Sequence, residues 1–337
     1  MPLVLDANDP AAIEAAAGRL ATGSLVGMPT ETVYGLAADA DNASAVQRIF
    51  EAKGRPSDHP LIVHLAPGAG EGGWRAGVEH HARDVPPFAL ALMKAFWPGP
   101  LTLILPRRTE VAAVAAGGQD SVGLRCPAHP VAQALLTAAL AHGVSGVAAP
   151  SANRFGRVSP TTAQHVAEEF SALSDGDLLI LDGGACPVGI ESTIVDCSRG
   201  APVLLRPGMV TLAQLEAACG QPVRERDEAA PRASGTLASH YAPRAKVRLM
   251  DAKPLQAALD VLGADARHIA VYARSPIKAH RNTAIRRMPG DAAAAAQELF
   301  ALLREIDATG VRLIWVETPP ASPEWDGVRD RLERAAA

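Results

Sequence analysis

The chain has 337 residues, enough for two domains that each bury a sizeable core. Hydrophobic residues make up 48%, charged residues 20% and aromatics only 4%, so this is an ordinary globular balance whose cores must rest on Ala, Val, Leu and Ile. The net charge of −4 argues against bulk nucleic-acid binding, and four cysteines without CxxC spacing (Cys126, Cys186, Cys197, Cys219) read as buried free thiols, not a zinc or dithiol motif.

Met1 to Asp6 lacks the basic start and apolar core of a signal peptide, and the Ala/Leu/Val stretch at 131–149 is broken by Gln133, His142, Gly143 and Gly146. The expectation is a cytoplasmic protein with no membrane association. A helix is predicted over 10–22 and a short buried strand over 24–28. That strand runs into Pro29-Thr30-Glu31-Thr32-Val33-Tyr34-Gly35-Leu36, a polar turn in apolar surroundings. Asn42 reads as the N-cap of a helix whose buried face is Ala45, Val46, Ile49 and Phe50, and Gly54 stops it. Strand and helix would bring Thr30 and Lys53 to the two ends of one βα unit. A strand follows at 61–65. Residues 66–84 show weak periodicity, and His80 and His81 read as a surface pair.

A helix over 87–96 is ended by Trp97-Pro98-Gly99-Pro100. Strands at 101–105 and 121–125, a helix over 130–141 and a strand at 146–149 lead to Pro150-Ser151-Ala152-Asn153. Ser159 reads as the cap of a helix reaching Phe170. Strands at 178–181, 192–196 and 203–206 follow, the last two as a pair, and Thr211 caps a short helix that Gly220 ends. Residues 221–245 turn polar and form a linker that carries Ser239-His240-Tyr241-Ala242-Pro243. Beyond it, strands near 246–250, 269–272 and 312–316 alternate with helices near 254–262, 292–307 and 326–335. That alternation predicts a smaller Rossmann-like α/β domain with a largely parallel sheet. The expected division is 1–220, a linker over 221–245, and 246–337.

The chemistry concentrates in Lys53-Gly54-Arg55-Pro56-Ser57, the run on to His64, and several later strand ends. Lys53, Arg55, Arg125 and Arg206 supply fixed positive charge. Thr30, Ser57, Ser121, Ser151, Ser159 and Ser192 supply hydroxyls, and His64 an imidazole. No GxSxG elbow, GxxxxGK[ST] loop or GxGxxG is present. The set suits holding phosphates and a carboxylate, with electrostatics accelerating the reaction in place of a protein nucleophile. Each piece also has a plainer reading: Arg125 and Arg206 as strand ends in solvent, His64 as a satisfied core histidine, Ser192 as a strand hydroxyl.

These motifs, with Trp97-Pro98-Gly99-Pro100-Leu101-Thr102, Val122-Gly123-Leu124-Arg125-Cys126-Pro127, Ala149 to Asn153, Glu191-Ser192-Thr193-Ile194 and Leu205-Arg206-Pro207-Gly208, resemble the YrdC-like family in order. With His240-Tyr241-Ala242-Pro243 and the second domain, the chain resembles the long, two-domain type of threonylcarbamoyl-AMP synthase. The resemblance implies a YrdC-like twisted mixed sheet with a concave basic cavity over 1–220, a lid in 221–245, and the smaller α/β domain. It implies a nucleotidyltransferase that makes threonylcarbamoyl-AMP and pyrophosphate from L-threonine, bicarbonate or CO2, and ATP with Mg2+. That product feeds a downstream tRNA-modifying transferase complex. By position, Thr30, His64, Arg125, Ala149 and Ser192 would hold threonine. Lys53, Ser57, Ser121, Ser151, Ser159, Arg206, His240 and Tyr241 would hold ATP, with Lys53 and Arg55 at the reacting phosphates.

Many relatives carry a Pro-Gly-Met turn before the His-Tyr pair, where this chain has Ser234-Gly235-Thr236-Leu237. An RNA-binding module of translation is the alternative, disfavoured by the charge and the few aromatics. A hydrogenase-maturation carbamoyltransferase would need Cys-rich regions that are not in this sequence. A noncatalytic interaction protein would leave the cation-and-hydroxyl strand ends without a role.

Overall fold

In the computed structural model, which describes residues 1–337, the short apolar runs become strands of one mixed eleven-stranded sheet. These are β1 (Leu3–Asp6), β2 (Leu25–Met28), β3 (Gly35–Asp39), β4 (Ile62–His64), β5 (Leu101–Pro106), β6 (Ser121–Arg125), β7 (Val147–Ala148), β8 (Leu178–Asp182), β9 (Thr193–Asp196), β10 (Val203–Arg206) and β11 (Arg224–Glu225). Their order is β1-β8-β2-β3-β7-β4-β6-β5-β9-β10-β11. Antiparallel pairs (β2–β3, β3–β7, β4–β7, β5–β6, β9–β10) are mixed with parallel ones such as β4–β6 and β5–β9.

The sheet's first unit also holds α1 (Pro10–Ala21), α2 (Ala43–Lys53), α3 (Arg75–His81), α4 (Pro87–Phe96), α5 (Pro130–Ala141), α6 (Ala163–Glu169) and α7 (Leu212–Cys219). The caps are those the sequence advertises. Asn42 accepts the Ala45 N–H, Gly54 closes α2 at φ +60°, and Thr211 and Gln214 form a capping box. Two apolar layers sandwich the sheet's centre. One packs Ile49, Phe50, Leu92, Met93 and Val166 on Leu36, Val63, Leu103 and Leu124. The other packs α1 and α5 on Val26, Met28, Val147 and Leu179.

Four expectations need correction. β2 does not lead directly into α2: β3 returns antiparallel to it, a buried Gly-Leu-Ala-Ala-Asp strand whose small residues show no alternation. Thr30 therefore sits in a hairpin connection. The weak stretch 66–84 contains α3, and His81, far from being at the surface, is 0% exposed. Thr162, not Ser159, caps α6 by accepting the His165 N–H, because the Ser159 hydroxyl points to Glu191. The edge strands β1 and β11 are short and mostly exposed, and only β1, Leu-Val-Leu-Asp, is apolar in sequence.

The compact units are residues 1–155 with 159–236, and residues 156–158 with 237–337. The second is an all-parallel four-stranded sheet of β12 (Lys246–Met250), β13 (Ile269–Ala273), β14 (Ala284–Arg287) and β15 (Leu313–Glu317), in the order β12-β15-β13-β14. It carries α8 (Ala252–Leu262), α9 (Ala292–Ala308) and α10 (Asp326–Ala336). β14 escapes the sequence reading because Ala-Ile-Arg-Arg is a largely exposed edge strand. No helix is long and apolar enough to cross a membrane.

Candidate active site

Alternation along four neighbouring strands builds the site's floor. Side chains two apart share a face. In β4, Val63 enters the helix-covered core, so Ile62 and His64 face the other way. In β6, Val122 and Leu124 are core, leaving Ser121, Gly123 and Arg125 on the opposite face. The register aligns His64 with Arg125 and Ile62 with Gly123. Thr102 and Ile104 of β5, and Ser192 and Ile194 at β9, complete the same face. A one-residue slip of any strand would move its polar group into the apolar core.

At one corner of this face lies Arg125, 3% exposed. Its Nη1 donates to Thr32 Oγ1 at 2.8 Å and its Nε to the Gly99 carbonyl at 3.3 Å. Its Nη2 lies 2.7 Å from Glu31 Oε1, yet off the N–H axis, so neither buried Glu31 oxygen receives a directed hydrogen bond. Thr30 shapes the turn: its hydroxyl donates to the Val33 carbonyl at 2.6 Å, accepts the Thr32 and Val33 N–H groups, and lies 2.9 Å from Thr32 Oγ1. Burial, and then the Arg125 charge, push the His64 imidazolium down to about 3, so this ring is neutral at ordinary pH. Its Nδ1 is buried without a hydrogen-bond partner. The Ala149 N–H is already taken by the Ile62 carbonyl at 3.0 Å.

A second corner is built around Lys53. It follows Ile49 by four and Phe50 by three residues, so helical spacing places it on the buried face of α2, where it is 3% exposed. Its ammonium donates to the Ser151 carbonyl at 2.6 Å and to the Asn153 carbonyl, and burial followed by the Arg55 charge holds its pKa well below the ordinary lysine value. Arg55, released by the left-handed turn at Gly54, donates to the Pro60 carbonyl at 2.9 Å and lies over the Phe155 ring. Ser57 is exposed beside it.

Between the corners, Arg206 is 2% exposed and clamps Ser192. Its Nε and Nη2 donate to the Ser192 carbonyl at 3.0 and 2.9 Å, and its Nη1 to the Ser234 carbonyl at 2.8 Å. The Ser192 hydroxyl lies 2.8 Å from Thr102 Oγ1. Gly208 is required here, since a Cβ would come within 2.6 Å of the Thr193 nitrogen. Ser159 donates to Glu191 at 2.5 Å. A small recess of about 20 Å³ opens on the floor, with Thr102, Ser121, Gln119, Arg232 and Ser234 among its walls. The segment carrying Arg232 is strapped over the face: Ala230 and Ala233 pack on Ile62, Ile104 and Ile194, and Arg232 bridges to Asp58 at 2.6 Å.

His240 and Tyr241 belong to the second unit, where both are buried. Tyr241 stacks on Phe300 at 5.3 Å, Arg331 lies 5.4 Å from its ring, and its φ of +60° is a conformation that non-glycine residues adopt only when their surroundings hold them there.

The fold thus brings His64 next to Arg125, links Arg125 to the Thr30–Thr32 turn and places Ser192 on Thr102 of the same face, while Lys53, Arg55 and Ser151 form a separate group at the end of α2. Glu31, Thr32, Thr102 and Glu191 were not singled out by the sequence reading. All four lie inside the quoted motifs, and the available signal was a carboxylate next to a hydroxyl in an otherwise apolar run.

A family model described as "Telomere recombination" (Sua5, YciO and YrdC proteins) matches residues 19–208, and one described as "Threonylcarbamoyl-AMP synthase, C-terminal domain" matches 210–337. The threonylcarbamoyl-AMP synthase of Pyrococcus abyssi is 37% identical over 96% of this chain and 94% of its own length. That of Bacillus subtilis is 42% identical over 74% of this chain and 69% of its own. Among solved structures, P. abyssi Sua5 complexed with L-threonine superposes with a TM-score of 0.86 at 36% identity, covering 100% of this chain and 97% of that one.

Proposed function

The chain belongs to the threonylcarbamoyl-AMP synthase family, and from that premise we propose that this enzyme joins L-threonine, bicarbonate or CO2, and ATP into threonylcarbamoyl-AMP with release of pyrophosphate. The product serves threonylcarbamoyladenosine modification of tRNA in the cytoplasm, through a downstream transferase that takes the adenylate. In reaction terms the enzyme is a nucleotidyltransferase. The observation that carries the reading is a pair of buried cationic groups, Arg125 aligned with His64 and bonded to the Thr30–Thr32 turn, and Lys53 with Arg55 at the end of α2.

The first corner suits an α-amino acid. A planar guanidinium takes a carboxylate through two parallel N–H bonds. Thr30 and the neutral His64 stand beside it as partners for a side-chain hydroxyl, with the Ala149 backbone and Ser192 completing the wall. The amine, deprotonated, adds to CO2 and becomes a carbamate. A carbamate oxygen then attacks the α-phosphorus of ATP, the bond to the β-phosphate oxygen breaks, and pyrophosphate departs. Lys53 and Arg55 hold the departing phosphates. Ser57, Ser121, Ser151 and Ser159 line the nucleotide's path, while Arg206 acts through Ser192 and Ser234, which it already grips.

Two anions must meet, so fixed cations lower the barrier electrostatically and positioning supplies much of the remainder. Glu31 and Glu191, the buried carboxylates nearest these groups, are engaged by Arg125 and Ser159. The protein's own donors therefore do not make a magnesium cage, and Mg2+ enters as MgATP, held by the phosphates. The segment over the floor must shift for the nucleotide to enter.

The test is product identification by mass spectrometry with 13C-bicarbonate, threonine and MgATP. A labelled threonylcarbamoyl-AMP is expected. ATP hydrolysis to AMP without any labelled adenylate would overturn the reading.

A further inference from the structure

Outside the active face, three groups of metal-binding type converge: Asp41, in the turn between β3 and α2, and His80 and His81 at the end of α3. Their ligand atoms lie within 4.8 Å of one another. Asp41 Oδ2 is 2.7 Å from His80 Nε2, while Asp41 Oδ1 is fixed by the Ala112 N–H at 2.8 Å. His81 is 0% exposed, and its Nδ1 is 2.8 Å from the Gly77 carbonyl. A carbonyl accepts only from an N–H, so this contact sets the tautomer. It leaves Nε2 as a lone pair, buried and without a hydrogen-bond partner. A ring held by a carbonyl at one nitrogen and bare at the other is the usual arrangement of a metal-bound histidine.

A core histidine without a ligand normally finds a partner for its second nitrogen, because a buried acceptor left unsatisfied forfeits its hydration with nothing in return. The fold also makes room for this ring, since at Gly146 any Cβ would approach its Cε1 to 2.6 Å.

We propose that Asp41, His80 and His81 form a binding site for one divalent transition-metal ion, Zn2+ by ligand type. Two imidazoles and a carboxylate suit that ion, with water as the fourth ligand. The half-exposed His80 and Asp41 leave the fourth position open to solvent. Tetrahedral ligands about Zn2+ stand about 3.4 Å apart, so on binding the 2.7 Å Asp41–His80 contact opens slightly and the wider separations, up to 4.8 Å, close, the ion replacing the hydrogen between Asp41 and His80.

The ion would fasten three segments that hydrogen bonds already bring together: the turn before α2, the end of α3, and the loop whose Arg108 N–H donates to the His81 carbonyl at 2.8 Å and whose Ala112 N–H reaches Asp41. None of the three residues has a role in the proposed reaction, so the ion is structural.

The experiment uses the full chain stripped by chelator and titrated with Zn2+ by calorimetry, with Co2+ as the spectroscopic probe. Expected are one saturable equivalent, a four-coordinate Co2+ spectrum without thiolate bands, and a Zn2+-dependent rise in melting temperature. His80→Ala and Asp41→Asn, both at partly exposed positions, should each weaken binding at least about tenfold and abolish the melting shift. No saturable binding, thiolate bands in the Co2+ spectrum, or one equivalent that survives both substitutions, would each overturn the proposal.

Discussion

The two cationic corners solve the burial of charge in opposite ways. Arg125 is compensated by a carboxylate, Glu31, 2.7 Å away. Lys53 is hydrogen-bonded by the neutral carbonyls of Ser151 and Asn153, with a second cation, Arg55, near it and the carboxylates of Glu169 and Glu191 acting on it from a distance. The first corner is therefore self-contained before any ligand arrives, and an entering carboxylate must compete with Glu31 for the guanidinium. The second is an ammonium with no carboxylate in direct contact, and burial, then the Arg55 charge, depress its pKa despite the pull of Glu169 and Glu191. One corner is built for stability and exchange, the other is held at a cost that phosphates relieve.

Substitutions at the two corners should separate these roles. The largest effect expected is on turnover: Lys53→Met should lower threonine-dependent pyrophosphate release by about 100-fold or more (~3 kcal/mol). It should cost little stability in urea, because the buried charge goes with the side chain. The folded chain holds the Lys53 proton less tightly than the unfolded chain, so stability rises with pH toward the ordinary lysine value of 10.5, and that rise should vanish in the variant.

Next, Arg125→Ala should cost about 3–5 kcal/mol in urea unfolding by stranding Glu31, and Glu31→Gln combined with Arg125→Met should recover most of it. Equal stability losses at Lys53 and Arg125 would erase the contrast.

A smaller, pH-dependent effect belongs to His64. Between pH 6.5 and about 3 the unfolded chain binds a proton there and the folded chain does not, so stability falls by a few kcal/mol on acidification across that window. His64→Asn should flatten this part of the unfolding free energy against pH. Smallest, Thr162→Ala should cost about 1 kcal/mol through the α6 cap, and Ser159→Ala should leave that cap intact.

What the sequence revealed follows from how strongly each feature was patterned. Lys53 and Arg55 were legible from the charge-dense stretch 53–64, whereas His64 and Arg125, each at the end of a short apolar strand, had plainer readings and stood out only through the family's motifs. The pairing of Arg125 with Glu31 was not legible, since no local spacing links residues so far apart in sequence. β3 and α3 were missed because small residues in the one and a seven-residue span in the other leave no clear period. Ser159 was misread because a serine before a helix is most often its cap, whereas here the chain runs on to Thr162 and spends the earlier hydroxyl on Glu191. The surface reading of His81 failed for a tertiary reason: the glycine at 146 that admits the ring lies on another element.

The most direct measurement is pyrophosphate release by the purified chain with MgATP and bicarbonate, with and without L-threonine, against L-serine as the near analogue and Lys53→Met as the site control. Release that requires threonine, exceeds that with serine and collapses in Lys53→Met is the expected result. Release indifferent to threonine, or unchanged in Lys53→Met, would contradict the assignment of the two corners to an amino acid and a nucleotide.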